Sequence, residues 1–125
     1  MNKPRILSVD DEPNFTDMLK QYFEPRGYQI DVTSKSEKGL EFLKTNKYDV
    51  ALLDFKMSGL GGDEIMRQTK DEGNEIKIIF ITAFSDSGKT KERLINEGAY
   101  AFMEKPIKSL KDLEDLINRA VKTDK

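Results

Sequence analysis

Asp10, Asp11 and Glu12 follow the apolar run Ile6 to Val9, Asp54 follows Val50 to Leu53, and Thr82 follows Ile78 to Ile81. A fourth run, Tyr100 to Met103, ends near Lys105-Pro106. If such runs lie side by side as parallel strands, they share one carboxyl edge and their terminal residues meet in one cleft. Two carboxylates ~4 Å apart repel by roughly 4 kcal/mol at an effective dielectric of 20, so these acids must protonate or bind a cation. Hard oxygen donors in small number suit Mg²⁺ or Mn²⁺, ions that keep several waters and recruit phosphate oxygens. In that setting Asp54 is a candidate nucleophile toward phosphorus. The Thr82 hydroxyl and the Lys105 ammonium are then donors for the phosphoryl oxygens, and the product is an aspartyl phosphate.

Composition narrows the alternatives. The chain has 125 residues, enough for a single core, and is read as one domain over 1–125 with its folded part at 4–122. Charged residues make up 35% with a net charge of −2, so no basic face invites direct nucleic-acid binding. No apolar stretch approaches the roughly 20 residues of a membrane span, and Met1-Asn2-Lys3-Pro4-Arg5 lacks the apolar region of a signal peptide, so a cytoplasmic location is expected. The chain contains no cysteine and no histidine. Thiol nucleophiles, Ser-His-Asp chemistry and imidazole-ligated metals are therefore excluded, which leaves carboxylates, hydroxyls and lysines to act.

The elements that position these residues are legible from periodicity. Arg5 to Val9 reads as a buried strand, followed by a helix whose stripe is Phe15, Met18, Leu19, Tyr22 and Phe23, ended by Pro25 and Gly27. Tyr28 to Val32 is the second strand. Ser36 with Glu37 opens a helix carrying Leu40, Phe42 and Leu43, and Tyr48 to Leu53 is the third strand. A glycine-rich loop through Gly59 and Gly62 precedes a helix over Asp63 to Asp71, with Ile65 and Met66 inward. Ile76 to Ile81 is the fourth strand. A weaker helix from Ser87 to Asn96 has Leu94 and Ile95 as anchors, and the last strand leads to a final helix capped by Ser109. Its stripe is Leu110, Leu113, Leu116, Ile117, Ala120 and Val121. Alternating strands and helices predict an α/β, doubly wound, five-stranded parallel sheet; with the flavodoxin-like order 2-1-3-4-5, its switch point lies between strands one and three and Asp10 and Asp11 come beside Asp54.

Taken together, Asp10-Asp11-Glu12-Pro13, Leu53-Asp54 with Met57 and Gly62, Thr82-Ala83, Gly98-Ala99 and Lys105-Pro106 resemble the receiver domain of bacterial and archaeal response regulators. The resemblance runs from residue 4 to about 122 and rests on several independent motifs in order. It implies that Asp54 accepts a phosphoryl group from a sensor histidine kinase or histidine phosphotransfer protein, with Mg²⁺ required. It also implies that Asp11 and Asp54 ligate the metal directly, Asp10 through water, and Lys56 through its backbone carbonyl. Thr82 and Phe102 match the family's switch pair, and Lys105 its phosphate-pairing lysine before a usually cis proline. The implied readout is the surface of the fourth helix, fifth strand and fifth helix. It would serve a downstream effector, a separate output domain or a phosphorylation-dependent homodimer. Lys56 and Phe84, two residues beyond Asp54 and Thr82, occupy positions that tune phosphoryl lifetime in the family, and a bulky Phe84 predicts slow self-dephosphorylation. Ser58 departs from the family's usual proline, which predicts a less rigid loop.

Other readings of the same residues are weaker. An Asp-x-Asp phosphatase of the haloacid-dehalogenase type needs a second acid where Lys56 stands. A flavin carrier of this topology would offer hydroxyls and amides, not acids, in its first loop. A purely structural reading suits Asp10 and Asp11 as a lone pair of capping acids, but not once Asp54 and Lys105 join them. A turnover enzyme is not expected. With no effector segment following residue 122, a stand-alone regulator, a relay intermediate and a receiver excised from a longer protein are all compatible with the sequence.

Overall fold

A computed structural model describes residues 3–83 and 88–122. Strands β1 (Arg5–Val9), β2 (Gln29–Thr33), β3 (Val50–Leu53), β4 (Lys77–Thr82) and β5 (Ala101–Glu104) alternate with helices α1 (Pro13–Phe23), α2 (Ser36–Thr45), α3 (Gly62–Asp71), α4 (Lys89–Asn96) and α5 (Leu110–Lys122). All strands pair in parallel in the order β2-β1-β3-β4-β5, as the sequence predicts. No helix among the described residues is long and apolar enough to cross a membrane.

The three central strands are buried on both faces, which explains their unbroken apolar runs. Alternation along them splits the core. Ile6, Val50, Leu52, Ile79 and Ile81 pack with Leu19, Phe23, Leu113 and Ile117 from α1 and α5. Leu7, Val9, Ala51, Leu53, Ile78 and Phe80 pack with Leu43, Ile65, Met66 and Leu94 from α2, α3 and α4. Helices on both faces leave the carboxyl edge of the sheet free to carry loops, and the acids are there.

Three local expectations change. Met18 is 39% exposed and Ile95 37% exposed, so neither is an inward anchor. Leu94 is fully buried and Thr90 nearly so, four residues earlier on the same stripe; at 100° per residue the position after Leu94 must turn away from the sheet. The expected start of α4 at Ser87 lies outside the described residues, and the helix begins after Gly88. Ser36 does not cap α2, since Lys35 holds that position. Its buried hydroxyl instead donates to Ser58 O and accepts from Leu60 N–H, each at 2.9 Å. The loop after β3 is thereby tied to α2 at the place where a proline would have stiffened it.

Charges fasten α4 to α3. Arg93 lies 3.7 Å from Asp63 and 3.1 Å from Glu97, and Arg67 reaches Glu64 at 3.0 Å and Glu97 at 3.5 Å. The Arg93 guanidinium also sits 5.6 Å from the ring centroid of Phe55, the neighbour of Asp54.

On the other face, Tyr22 and Tyr28 donate hydrogen bonds to the two oxygens of Glu114 at 2.9 and 2.8 Å, and Arg26 stands 3.6 Å away. Burial pushes this carboxyl up, but the two hydroxyls and the guanidinium outweigh it and hold Glu114 below its usual value of 4.5. A carboxyl depressed in the folded state contributes stability above its unfolded value, and that stability is lost as pH falls through the folded value. The urea midpoint of Glu114→Gln is therefore expected to fall below wild type at pH 7, with the gap closing as pH drops below 4.5. Equal midpoints at pH 7 would show that this clamp contributes nothing.

Candidate functional site

Asp10 follows β1, Asp54 follows β3, and the Asp54 N–H donates to Val9 O at 3.1 Å, so the two strand ends are locked in step. Carboxylate oxygens of Asp10, Asp11 and Asp54 all lie within 4.8 Å of one another. Asp10 and Asp54 are buried and Asp11 is exposed, so the cluster opens to solvent on one side. Asp54 Oδ1 is buried with no hydrogen-bond partner among the described residues. An orphaned buried carboxylate oxygen facing two more acids is what a hard divalent cation would complete, and the donor set fits Mg²⁺ or Mn²⁺.

Lys105 enters from the loop after β5. Its Nζ is 2.8 Å from Asp10 Oδ2 and 3.8 Å from Asp54 Oδ2, with Glu12 Oε1 closer still and the Phe15 ring centroid at 4.4 Å. Burial alone would lower the lysine, but hydrogen bonds to Asp10 and Glu12 outweigh it and hold it above its usual value. Asp10 moves up. Burial is the main cause and the nearby Asp54 charge adds to it, against the pull of Lys105 and of the Glu12 N–H. The cluster is thus short of positive charge even with a lysine inside it.

Thr82, the last residue of β4, is buried, and its carbonyl accepts from Lys105 N–H at 2.9 Å. Alternation places it on the same sheet face as Ile78 and Phe80, the face covered by α4. Phe102 pairs with Phe80 in register and packs, half-buried, against that same core. Lys56 is exposed in the loop after β3. Phe84 lies outside the described residues. The Lys105-Pro106 bond is cis.

The chain matches the response regulator receiver domain model over residues 6–118. It belongs to that family. This receiver is 34% identical over 115 residues to the response regulator ArlR of Staphylococcus saprophyticus, covering 92% of this chain and 50% of the relative. It thus spans about half the length of curated relatives such as this one. A receiver domain protein from Clostridium thermocellum superposes with a TM-score of 0.87 at 30% identity, covering 98% of this chain and 97% of that one. TrrA of Thermotoga maritima, whose structure is a complex with Mg²⁺ and BeF, superposes with a TM-score of 0.81 at 30% identity over 94% and 99% of the two chains. Receiver domains are signalling domains, not turnover enzymes.

Sequence reasoning assigned no task to Glu12. Three acids in a row look equivalent in one dimension, and only the approach of Lys105, 93 residues away, distinguishes the third. Ser36 escaped for a similar reason, because a serine before a helix reads as a cap. A broader depression, about 690 Å³, lies at the opposite edge of the sheet beside Lys70, Asn74 and Gly98, and no metal-binding acid cluster accompanies it among the described residues.

Proposed function

We propose that this receiver accepts a phosphoryl group on Asp54 from the phosphohistidine of a sensor kinase or phosphotransfer protein. In the transfer the P–N bond to the donor imidazole breaks as a bond forms between phosphorus and a carboxylate oxygen of Asp54. The reading is carried by one observation: a buried Asp54 oxygen, without a hydrogen-bond partner among the described residues, sits among two further acids with Lys105 at 3.8 Å. Asp10, Asp11 and Asp54, with the carbonyl of Lys56, would hold Mg²⁺, which when bound supplies the positive charge that lets an anion approach three acids. Lys105 and the Thr82 hydroxyl then donate to separate phosphoryl oxygens. An apolar groove of about 450 Å³, lined by Phe15, Met18, Ala83, Pro106 and Ile107 beside Glu12 and Lys105, gives a donor protein a place to rest against the site.

Drawing Thr82 inward frees space on the face it shares with Phe102. That side chain can follow, shifting the surface formed by α4, β5 and α5 toward an effector, an output domain or a second copy of the chain. Reversing a 1:99 equilibrium needs about 5.5 kcal/mol, within reach of two or three charge-assisted contacts. By the family resemblance, Lys56 and Phe84 are proposed to set how long the phosphoryl group lasts.

Incubation with acetyl phosphate and Mg²⁺ is expected to add the mass of one phosphoryl group to the wild type and none to Asp54→Asn. A wild type left unlabelled, or an Asp54→Asn labelled equally, would sink the reading. Unlabelled protein would favour a receiver fold that binds partners without chemistry.

A further inference from the structure

Glu12 occupies an unusual position for an acid. It is the N-cap of α1, and its carbonyl accepts from Phe15 N–H at 3.0 Å, yet its side chain makes no capping hydrogen bond. Its backbone N–H donates to Asp10 Oδ1 at 2.9 Å, which ties the residue to the acid cluster. Its carboxylate is spent on Lys105 instead. That side chain is 65% exposed while the lysine is only 11% exposed, so an otherwise solvated acid reaches in to a sheltered ammonium group. Lys105 is consequently shared between Asp10 and Glu12 and stands a full ångström farther from Asp54, at 3.8 Å against 2.8 Å for Asp10.

We propose that Glu12 is a positioning residue that stores Lys105 in a resting place beside the rim of the cleft. An anion arriving on Asp54 must take the lysine from Glu12 before it can be paired. Because Glu12 is exposed, the competition is mild and reversible, which suits a residue that sets a threshold without blocking the site. Glu12 also repels an incoming anion directly, so charge alone must be separated from lysine storage. The proposal rests on the reading of Asp54 as the phosphoryl site.

Beryllofluoride is titrated calorimetrically at saturating Mg²⁺ into wild type, Glu12→Gln, Lys105→Ala and the double variant. Glu12→Gln is expected to bind about three- to fivefold tighter than wild type, the range of a partly exposed ion pair. In the Lys105→Ala background the same substitution is expected to change affinity by less than about 1.5-fold, because the two residues act as a unit. An equal gain in both backgrounds would mean that Glu12 acts as bulk negative charge, and the proposal would be wrong. It would be equally wrong if Glu12→Gln bound no tighter than wild type. Asp54→Asn separates the two levels: if it binds beryllofluoride as the wild type does, or if the wild type binds none, the Asp54 reading itself fails and the storage role falls with it.

Discussion

Gly62→Ala is expected to lose about 3 kcal/mol of folding stability, the upper end of ordinary overpacking, together with most of its affinity for Mg²⁺. Gly62 opens α3 against the end of β3, and a Cβ built there would stand 2.1 Å from the backbone oxygen of Asp54 and 2.9 Å from the ring of Phe80. Backbone cannot swing aside as a flexible side chain can. Either α3 lifts from the sheet, which disturbs Ile65 and Met66 in the core, or the peptide of Asp54 moves and takes its carboxylate with it. Against a typical total of about 5–15 kcal/mol, a loss of that size is large. Gly73→Ala is the useful contrast. That position has φ of +77° with nothing among the described residues within 4 Å of the added carbon, so its cost is backbone strain of about 1 kcal/mol and its Mg²⁺ affinity is unchanged. Urea unfolding and calorimetric Mg²⁺ titration of both variants check this. If Gly62→Ala unfolds at the wild-type midpoint, the tight approach of α3 to Asp54 is not what fixes the acid in place.

Removing the acid altogether should have the opposite effect on stability when divalent ions are absent. In chelator, Asp54→Ala is expected to be about 1–2 kcal/mol more stable than wild type, because it deletes a buried oxygen without a partner among the described residues and a charge within 4.8 Å of two other acids. The loss of the 3.8 Å contact with Lys105 offsets part of that gain, since the lysine keeps Asp10 and Glu12. Adding Mg²⁺ to one hundred times its dissociation constant should stabilise wild type by about 2.7 kcal/mol and the variant by much less. The order of thermal midpoints then reverses between chelator and Mg²⁺. An Asp54→Ala that is less stable than wild type in chelator would show that the three acids do not strain the fold and need no cation to relieve them.

How much of this was legible beforehand follows from what each residue depends on. The parallel sheet covered on both faces follows from unbroken apolar runs and from the handedness of their crossovers, which are properties of segments, and the flavodoxin-like order 2-1-3-4-5 then brings Asp10 beside Asp54. Thr82 and Lys105 were readable as donors from their places at the strand ends and Phe102 only by resemblance; the structure puts Thr82 and Phe102 on one face and Lys105 among the acids. What escaped depended on single side chains choosing among partners. Ser36 takes the loop carbonyl at Ser58 over its own helix end, and Glu12 takes Lys105 over the N–H groups of α1. Ile95 and Thr90 show the same limit on α4, where a weak stripe of eight residues left room for a polar side chain to face inward.

The ionic fastening of α4 makes that helix answerable to its medium. Among the described residues of α4 only Thr90 and Leu94 are buried, while its links to α3 through Asp63, Arg67, Arg93 and Glu97 are exposed or half-exposed charges. Salt shortens the reach of such charges, from about 8 Å at 0.15 M to about 3 Å at 1 M, while apolar burial between the strands does not weaken with them. Ionic strength therefore acts selectively on α4 and leaves the sheet intact. On the proposed reading, a surface that would pass the signal onward is tuned by dissolved ions as well as by chemistry at Asp54.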